Sequence, residues 1–174
     1  VAVYGCPNCT MRCGLTIHDE AGRESELDYE NVALLGPNLE IFDLPPIGTL
    51  NYQCDDYGID TMSSGCVLSF YADAVERGAA PGDIRFGDSK GFQALLDDIA
   101  LRRGEIGNLL AEGSLRAARS IGRGSEAYAM QVKGLEVAAY NCKFIPGMAL
   151  AFGVSPIGAH HKESWVITFE IKQT

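Results

Sequence analysis

Between Met62 and Val75 the residues Cys66, Val67, Phe70, Tyr71 and Ala74 recur at three- and four-residue spacing. A strand would scatter such positions over both of its faces, whereas the 3.6-residue turn of an α-helix gathers them on one. Gly78 closes the segment where a helix end favours a left-handed residue. A second stripe, Phe92, Leu95, Leu96 and Ile99, follows a loop through Pro81-Gly82-Asp83 and Gly87, with Ser89 expected as its cap. A third helical stretch runs through Ile106, Leu109, Leu110, Leu115 and Ala118 before Gly122 and Gly124. Upstream, Val32, Leu34 and Leu35 start a helical turn that Gly36-Pro37 stops, and Pro45-Pro46 ahead of Ile47 and Leu50 suits a helix's first turn. Strand-like alternation is confined to residues near 15–28, where Leu15 and Ile17 alternate with polar residues and Ala21-Gly22 makes the turn. The pattern predicts a mainly α, multihelical protein with a short β-hairpin near the N-terminus. Beyond Lys133-Gly134 the sequence turns to short apolar segments broken by Gly and Pro. A boundary is placed there, giving a helical unit over 1–132 and the start of a further helical domain over 133–174.

The net charge of −9, from 14 basic and 23 acidic residues, argues against nucleic acid or an anionic membrane surface as partner. The apolar runs are too short for a membrane span, and no secretory signal pattern is present. The first residue is not Met and the last ones carry no closing signal, so the chain reads as a piece of something larger.

Cys6, Cys9 and Cys13 form a C-x2-C-x3-C run on a loop whose Pro7 and Gly14 let the backbone curl. Thiolates that close can face one point. Iron–sulfur clusters are held by such runs, normally with four Cys, and zinc accepts three Cys with one further ligand. Spacing therefore predicts a metal or cluster site and leaves the metal open. Cys54, Cys66 and Cys142 lie singly in apolar contexts and read as small hydrophobes. The uneven placement suits a reduced, cytoplasmic setting better than a disulfide scaffold.

Four more motifs follow in order: YENVALLGPN, DDYGIDTMSSG, VKGLEVAAYN and SPIGAHH. Together with CPNCTMRCG they resemble the aldehyde ferredoxin oxidoreductase family of tungsten or molybdenum pterin enzymes, from Cys6 to about His161. The resemblance implies that the chain is the second domain and the start of the third. It also implies that Cys6, Cys9 and Cys13 ligate a [4Fe–4S] cluster, with a fourth Cys beyond Thr174. Most of the bis-pterin would be cradled by an N-terminal domain outside this chain.

Asp55, Gly58 and Asp60 then match the family's first pterin-binding signature. Carboxylates accept hydrogen bonds from pterin N–H groups, although an Asp before a helix is also an ordinary cap. Glu30 matches a carboxylate beside the metal that takes a proton in catalysis, and a Glu in a first helical turn is otherwise a dipole partner. Tyr29 is a donor to substrate or plain packing. His161 matches the active-site His, with His160 in place of the preceding Cys. The run His160-His161-Lys162-Glu163-Ser164-Trp165 departs from the family's usual sequence, and Ala138 replaces a common Pro. His18 is expected at the surface.

The implied activity is oxidation of an aldehyde to a carboxylic acid, with electrons passing through the cluster to ferredoxin. This piece alone is expected to be inactive, and a homodimer is compatible with the resemblance. Two alternatives stay open: a family member reducing aromatic-ring thioesters, of the benzoyl-CoA reductase type, and a non-catalytic zinc-stapled helical binding module.

Overall fold

The computed structural model describes residues 2–8, 10, 12–163 and 165–171. The protein is mainly α, with eight α-helices among the described residues. The predicted hairpin is larger than expected. Strands β1 (Ala2–Tyr4), β2 (Gly14–His18) and β3 (Glu24–Leu27) form one antiparallel sheet in that order. Three residues are too few for an alternation to show, which is why β1 was not foreseen. The β1–β2 register pairs Tyr4 with Gly14, and a Cβ at Gly14 would fall inside the Tyr4 ring. The cysteine loop thus springs from a tight base. A second pair of two-residue strands, β4 (Gln131–Val132) and β5 (Leu135–Glu136), also lay below what alternation can reveal.

Helix α1 (Tyr29–Leu35) begins at Asp28, whose carboxylate accepts from the Asn31 N–H at 3.1 Å. Helix α2 (Leu44–Tyr57) carries its prolines in the first turn and ends at Gly58, φ +67°. Helix α3 (Thr61–Glu76) is capped by Asp60, which accepts from the Ser63 N–H at 2.7 Å. Its Gly65 lies against α1, where a Cβ would come within 2.6 Å of the Leu34 carbonyl oxygen. Helix α4 (Ser89–Ala100) starts one residue earlier in its cap than expected. Asp88, not Ser89, accepts from the Gly91 N–H at 2.9 Å, an ordinary cap for an Asp just ahead of the first helical residue. The third predicted stretch is two helices, α5 (Gly104–Leu110) and α6 (Ser114–Ile121), divided at Gly113, whose φ of +86° no continuous helix allows. Helices α7 (Pro146–Val154) and α8 (Ile167–Ile171) complete the chain.

The apolar side chains gather in two clusters. The larger takes Ile17 and Leu27 from the sheet, Leu35, Leu50, Leu68 and Phe92 from α1–α4, and Leu110, Ala117 and Ala118 from α5 and α6. The smaller centres on Tyr140, Met148 and Phe152. Among the described residues, no helix is long and apolar enough to cross a membrane.

Candidate active site

The two clusters meet where the segment after β5 crosses α1. Both polar groups of the Ala139 backbone are taken by α1 side chains. Its N–H donates to Glu30 Oε2 at 2.8 Å, and its carbonyl accepts from the Tyr29 hydroxyl at 2.6 Å. The loop after α7 closes on the same place, with His161 Nδ1 at 3.4 Å from Glu30 Oε1. That contact lacks hydrogen-bond alignment, and both atoms are buried with no other partner. They are the orphaned polar groups of a cleft of about 530 Å³ lined by Tyr29, Glu30, Tyr140, His161 and Trp165, with Cys13 and Asp28 at its edge and Ile167, Thr168 and Ile171 from α8.

Burial sets the charge state of this pair. Desolvation pushes the Glu30 carboxyl above its ordinary value, against the opposing hydrogen bonds from Ala139 and Tyr140. Desolvation also lowers His161, with the nearby positive charges of His160 and Lys162 acting in the same sense. Both shifts act against the charged forms, so burial weakens the contact as an ion pair. The Tyr140 phenol is held protonated, chiefly by burial and then by the Glu30 charge. Its ring lies 5.7 Å from Tyr29, 5.5 Å from His161 and 5.9 Å from Trp165. His160 stacks on His161 at 5.7 Å.

Asp55 and Asp60 flank Gly58 and are both exposed. Asp60 also lines a second cavity of about 430 Å³, together with Glu136, His160, His161 and Lys162. Asp55 is joined to the α1 end of the site by amides. The fully buried Asn51 donates to Asp55 Oδ2 at 3.1 Å and accepts from Asn31 at 2.5 Å, and Asn31 in turn accepts from Thr61 at 3.2 Å. One oxygen of each aspartate is engaged, by Asn51 and by Ser63, in these contacts. The cap reading and the ligand reading of Asp60 are thus sterically compatible.

Cys6 and Cys13 are free and exposed on the loop between β1 and β2, whereas Cys9 lies outside the described residues. Among the described residues, no group of three His, Cys, Asp or Glu side chains is arranged to hold a metal ion. Cys54 and Cys66 are buried, and burial pushes each thiol up to about 12. That leaves them inert. Cys142 is half-buried and His18 is exposed.

Sequence reasoning missed Tyr140, Trp165, Asn51 and Glu136. Tyr140 and Trp165 reach the cleft only through a long-range fold. Asn51 carried one available signal, a lone amide within an apolar helical face. Glu136 fills a gap: α6 has no local side-chain cap, and Glu136 Oε1 accepts from the Ser114 N–H at 2.8 Å and its hydroxyl at 2.9 Å. Glu136 Oε2 accepts from Ser63 at 3.1 Å, at the start of α3.

Cys13, Glu30 and His161 line one cleft, and His161 and Asp60 line the cavity beside it. The comparisons with known proteins name the family. The chain belongs to the aldehyde ferredoxin oxidoreductase family: the family model described as "Aldehyde ferredoxin oxidoreductase, domains 2 & 3" matches residues 1–174. A tungsten-containing aldehyde ferredoxin oxidoreductase of Pyrococcus furiosus is 34% identical over 174 residues, covering 95% of this chain and 28% of the relative. One from Thermococcus kodakarensis is 32% identical with the same coverage. An aliphatic sulfonate oxidoreductase, WOR-like subunit, of Pyrococcus furiosus is 37% identical over 153 residues, 82% of this chain and 24% of that one. Among solved structures, the active-site complex of benzoyl-coenzyme A reductase with 1,5-dienoyl-CoA matches with a TM-score of 0.71. It is 26% identical over 91% of this chain and 25% of that chain. The chain therefore spans about a quarter of the length of these oxidoreductase relatives.

Proposed function

We propose that this chain is the helical part of an enzyme that oxidises an aldehyde to a carboxylic acid and passes the electrons to ferredoxin. The observation that carries the reading is the orphaned pair Glu30 Oε1 and His161 Nδ1, buried at the floor of an apolar cleft. Buried polar atoms without partners are costly unless a ligand satisfies them.

The residues present fit the group the family implies. Cys6 and Cys13, whose thiols are free and exposed, would hold a [4Fe–4S] cluster together with Cys9, which lies outside the described residues. Asp55 and Asp60, set around Gly58, would accept hydrogen bonds from a pterin. When bound, the tungsten or molybdenum bis-pterin supplies two-electron redox chemistry and the cluster carries electrons one at a time.

Aldehyde oxidation consumes water and releases two protons with two electrons. In its ionised form Glu30, made the stronger base by burial, takes a proton from water or from the hydrated aldehyde in the cleft. His161, kept neutral by burial, accepts that proton through Nδ1 and moves it outward along the stacked His160. The Tyr29 hydroxyl already donates to Ala139, so Tyr29 shapes the wall and is not a substrate donor in this conformation. We also place a domain boundary at residues 132–133, a division supported by the second apolar cluster, whose buried members all lie after it.

A second reading, reduction of an aromatic-ring thioester, is supported by the benzoyl-coenzyme A reductase likeness and by the departure from the family run at His160-His161-Lys162. To decide, the full-length protein is purified anaerobically from tungstate-supplemented cells and offered aldehydes with ferredoxin or a viologen. Aldehyde-dependent reduction, with iron, acid-labile sulfide and tungsten bound, is expected. Turnover of an aryl thioester with no aldehyde oxidation would select the second reading, and zinc alone would remove both.

A further inference from the structure

Helix α8 is a weakly anchored wall of the cleft. Ile167, Thr168 and Ile171, one and four residues along the helix, bring one side of it to the opening that Tyr29, Glu30 and His161 also line. None of its five residues is buried, and Phe169 is 71% exposed. A helix that short does not hold itself in water, so tertiary contacts must hold it. Val166 and Ile167 pack in part on the cluster around Tyr140, Met148 and Phe152. The bond from Trp165 Nε1 to Thr168 Oγ1, 3.0 Å, is local and moves with the segment. The polar tie to α7 is Glu170, whose Oε1 accepts from the Gly147 N–H at 2.8 Å.

Both partners suit that contact. Helix α7 opens with Pro146, which lacks an N–H, and Ile145 gives no side-chain cap, so Gly147 carries the first donor and takes its acceptor from elsewhere. The missing side chain makes the room: a Cβ at Gly147 would lie 2.9 Å from Glu170 Cδ and from both carboxylate oxygens. A negative charge at a helix N-terminus is favourable. The other oxygen, Oε2, is buried without a partner, and that cost offsets part of the gain. A contact balanced in this way holds α8 and also lets it go.

We infer that Glu170 is a positioning residue, the latch through which α7 holds α8 as a movable wall of the cleft. Latched, Ile167 and Ile171 keep the cleft apolar beside Glu30 and His161. Released, the wall swings out and admits substrate or frees product. This deepens the proposed function and rests on it only for the turnover readout.

Amide hydrogen exchange is followed in the full-length holoenzyme. Glu170→Ala should speed exchange at residues 167–171 by about tenfold, the scale of one charge-assisted hydrogen bond, with α1 unchanged as the sign of a retained fold. Gly147→Ala, which displaces the carboxylate from the other side and by propensity favours α7 itself, should do the same. Joining the two should add nothing, because each removes the same contact. Glu170→Gln, which keeps the acceptor without the charge, should fall between the parent and Glu170→Ala. In aldehyde turnover KM should rise by up to about tenfold, in the same order of variants, while kcat changes by less than about twofold. If an aryl thioester is turned over instead and its KM follows that order, the latch stands and the aldehyde reading falls. Unchanged exchange at 167–171 in both Glu170→Ala and Gly147→Ala, additive effects in the double variant, or faster exchange with KM unmoved would overturn the inference.

Discussion

Residues 17–129 and residues 132–171 solve the same packing problem differently. The first region buries Leu27, Leu35, Leu39, Leu50, Leu68, Phe92 and Leu96 completely, and Asp28, Asp60 and Asp88 cap its helices locally. The second has a small nucleus around Met148 and Phe152 and leaves Phe144 80% exposed, Phe169 71%, and Leu150 and Val154 67% each. Beside the packing of Met62 and the Tyr29 ring on it, its ties to the first region are polar: Glu30 and Tyr29 on Ala139, Glu136 on Ser63 and Ser114, and Cys66 Sγ on the Val137 carbonyl at 3.3 Å. The residues offered for chemistry at the seam therefore also dock one region on the other. A site on a seam can adjust to a ligand, whereas a site inside a closed core could not admit one.

The largest expected effect tests the chemical half of that statement. Glu30→Gln keeps an acceptor for the Ala139 N–H but removes the proton acceptor. In the full-length enzyme, kcat/KM should fall by about 10²–10⁴-fold, the usual worth of a general base, with iron and tungsten content unchanged. His161→Asn should act in the same direction. A loss below about threefold would leave Glu30 with docking alone.

The next test asks whether the first region holds itself. Phe92→Ala opens a cavity worth roughly 3–5 kcal/mol, so amide exchange in α2 and α4 should accelerate by about 10²–10³-fold while α7 changes little. The matching substitution on the exposed side, Leu150→Ser, should move neither region by more than about 0.5 kcal/mol. If Phe92→Ala loosens α7 as much as α4, the two regions are one cooperative unit and the contrast drawn here fails.

Glu136→Gln probes the seam itself. It weakens the acceptor for Ser114, which is fully buried at the start of α6, and for Ser63 on α3. A loss of about 1–3 kcal/mol is expected, the range for a compromised buried polar group. Exchange should rise in α6 and in β5 together. Acceleration in α6 alone would make Glu136 a cap and nothing more.

The fold was legible where periods were long. The stripe from Met62 to Val75 needs α3, and Phe92 to Ile99 needs α4, because no other structure puts those residues on one face. The break between α5 and α6 was hidden because Leu110 and Leu115 continue an apolar pattern across Gly113, where only a backbone angle betrays the stop. Glu30 and His161 were singled out from motifs, and the fold sets both on one cleft. Tyr140 and Trp165 could not be found that way, since aromatic residues in short turns have no period and their value lies in distances across the chain. Asp88 was passed over for Ser89 because two adjacent capping residues differ only in which backbone N–H each can reach.

The smallest effect bears on how the seam responds to pH. Burial raises the Glu30 carboxyl above its ordinary 4.5 in the folded protein, so the folded state holds that proton more firmly than the unfolded state does. Linkage then fixes the sign. Docking of the 138–140 segment on α1 is most favourable below 4.5, where Glu30 is protonated in both states. It weakens as pH rises through the raised folded value, because ionising a buried carboxylate costs more than ionising a solvated one. His161 acts in the opposite sense, since its lowered value means that acid below about 6.5 charges the unfolded imidazole first. The two responses therefore narrow the favourable window from both sides. Amide exchange at Ala139 and Tyr140, corrected for the intrinsic pH dependence of exchange, should show protection falling as pH climbs past the ordinary carboxylate range. In Glu30→Gln that fall should vanish while the acid-side response of His161 persists, and His161→Asn should show the converse. A parent profile already flat across this range would mean that the segment is docked by Tyr29 and the apolar nucleus alone. The chemistry at the seam would then be separable from the packing that holds it.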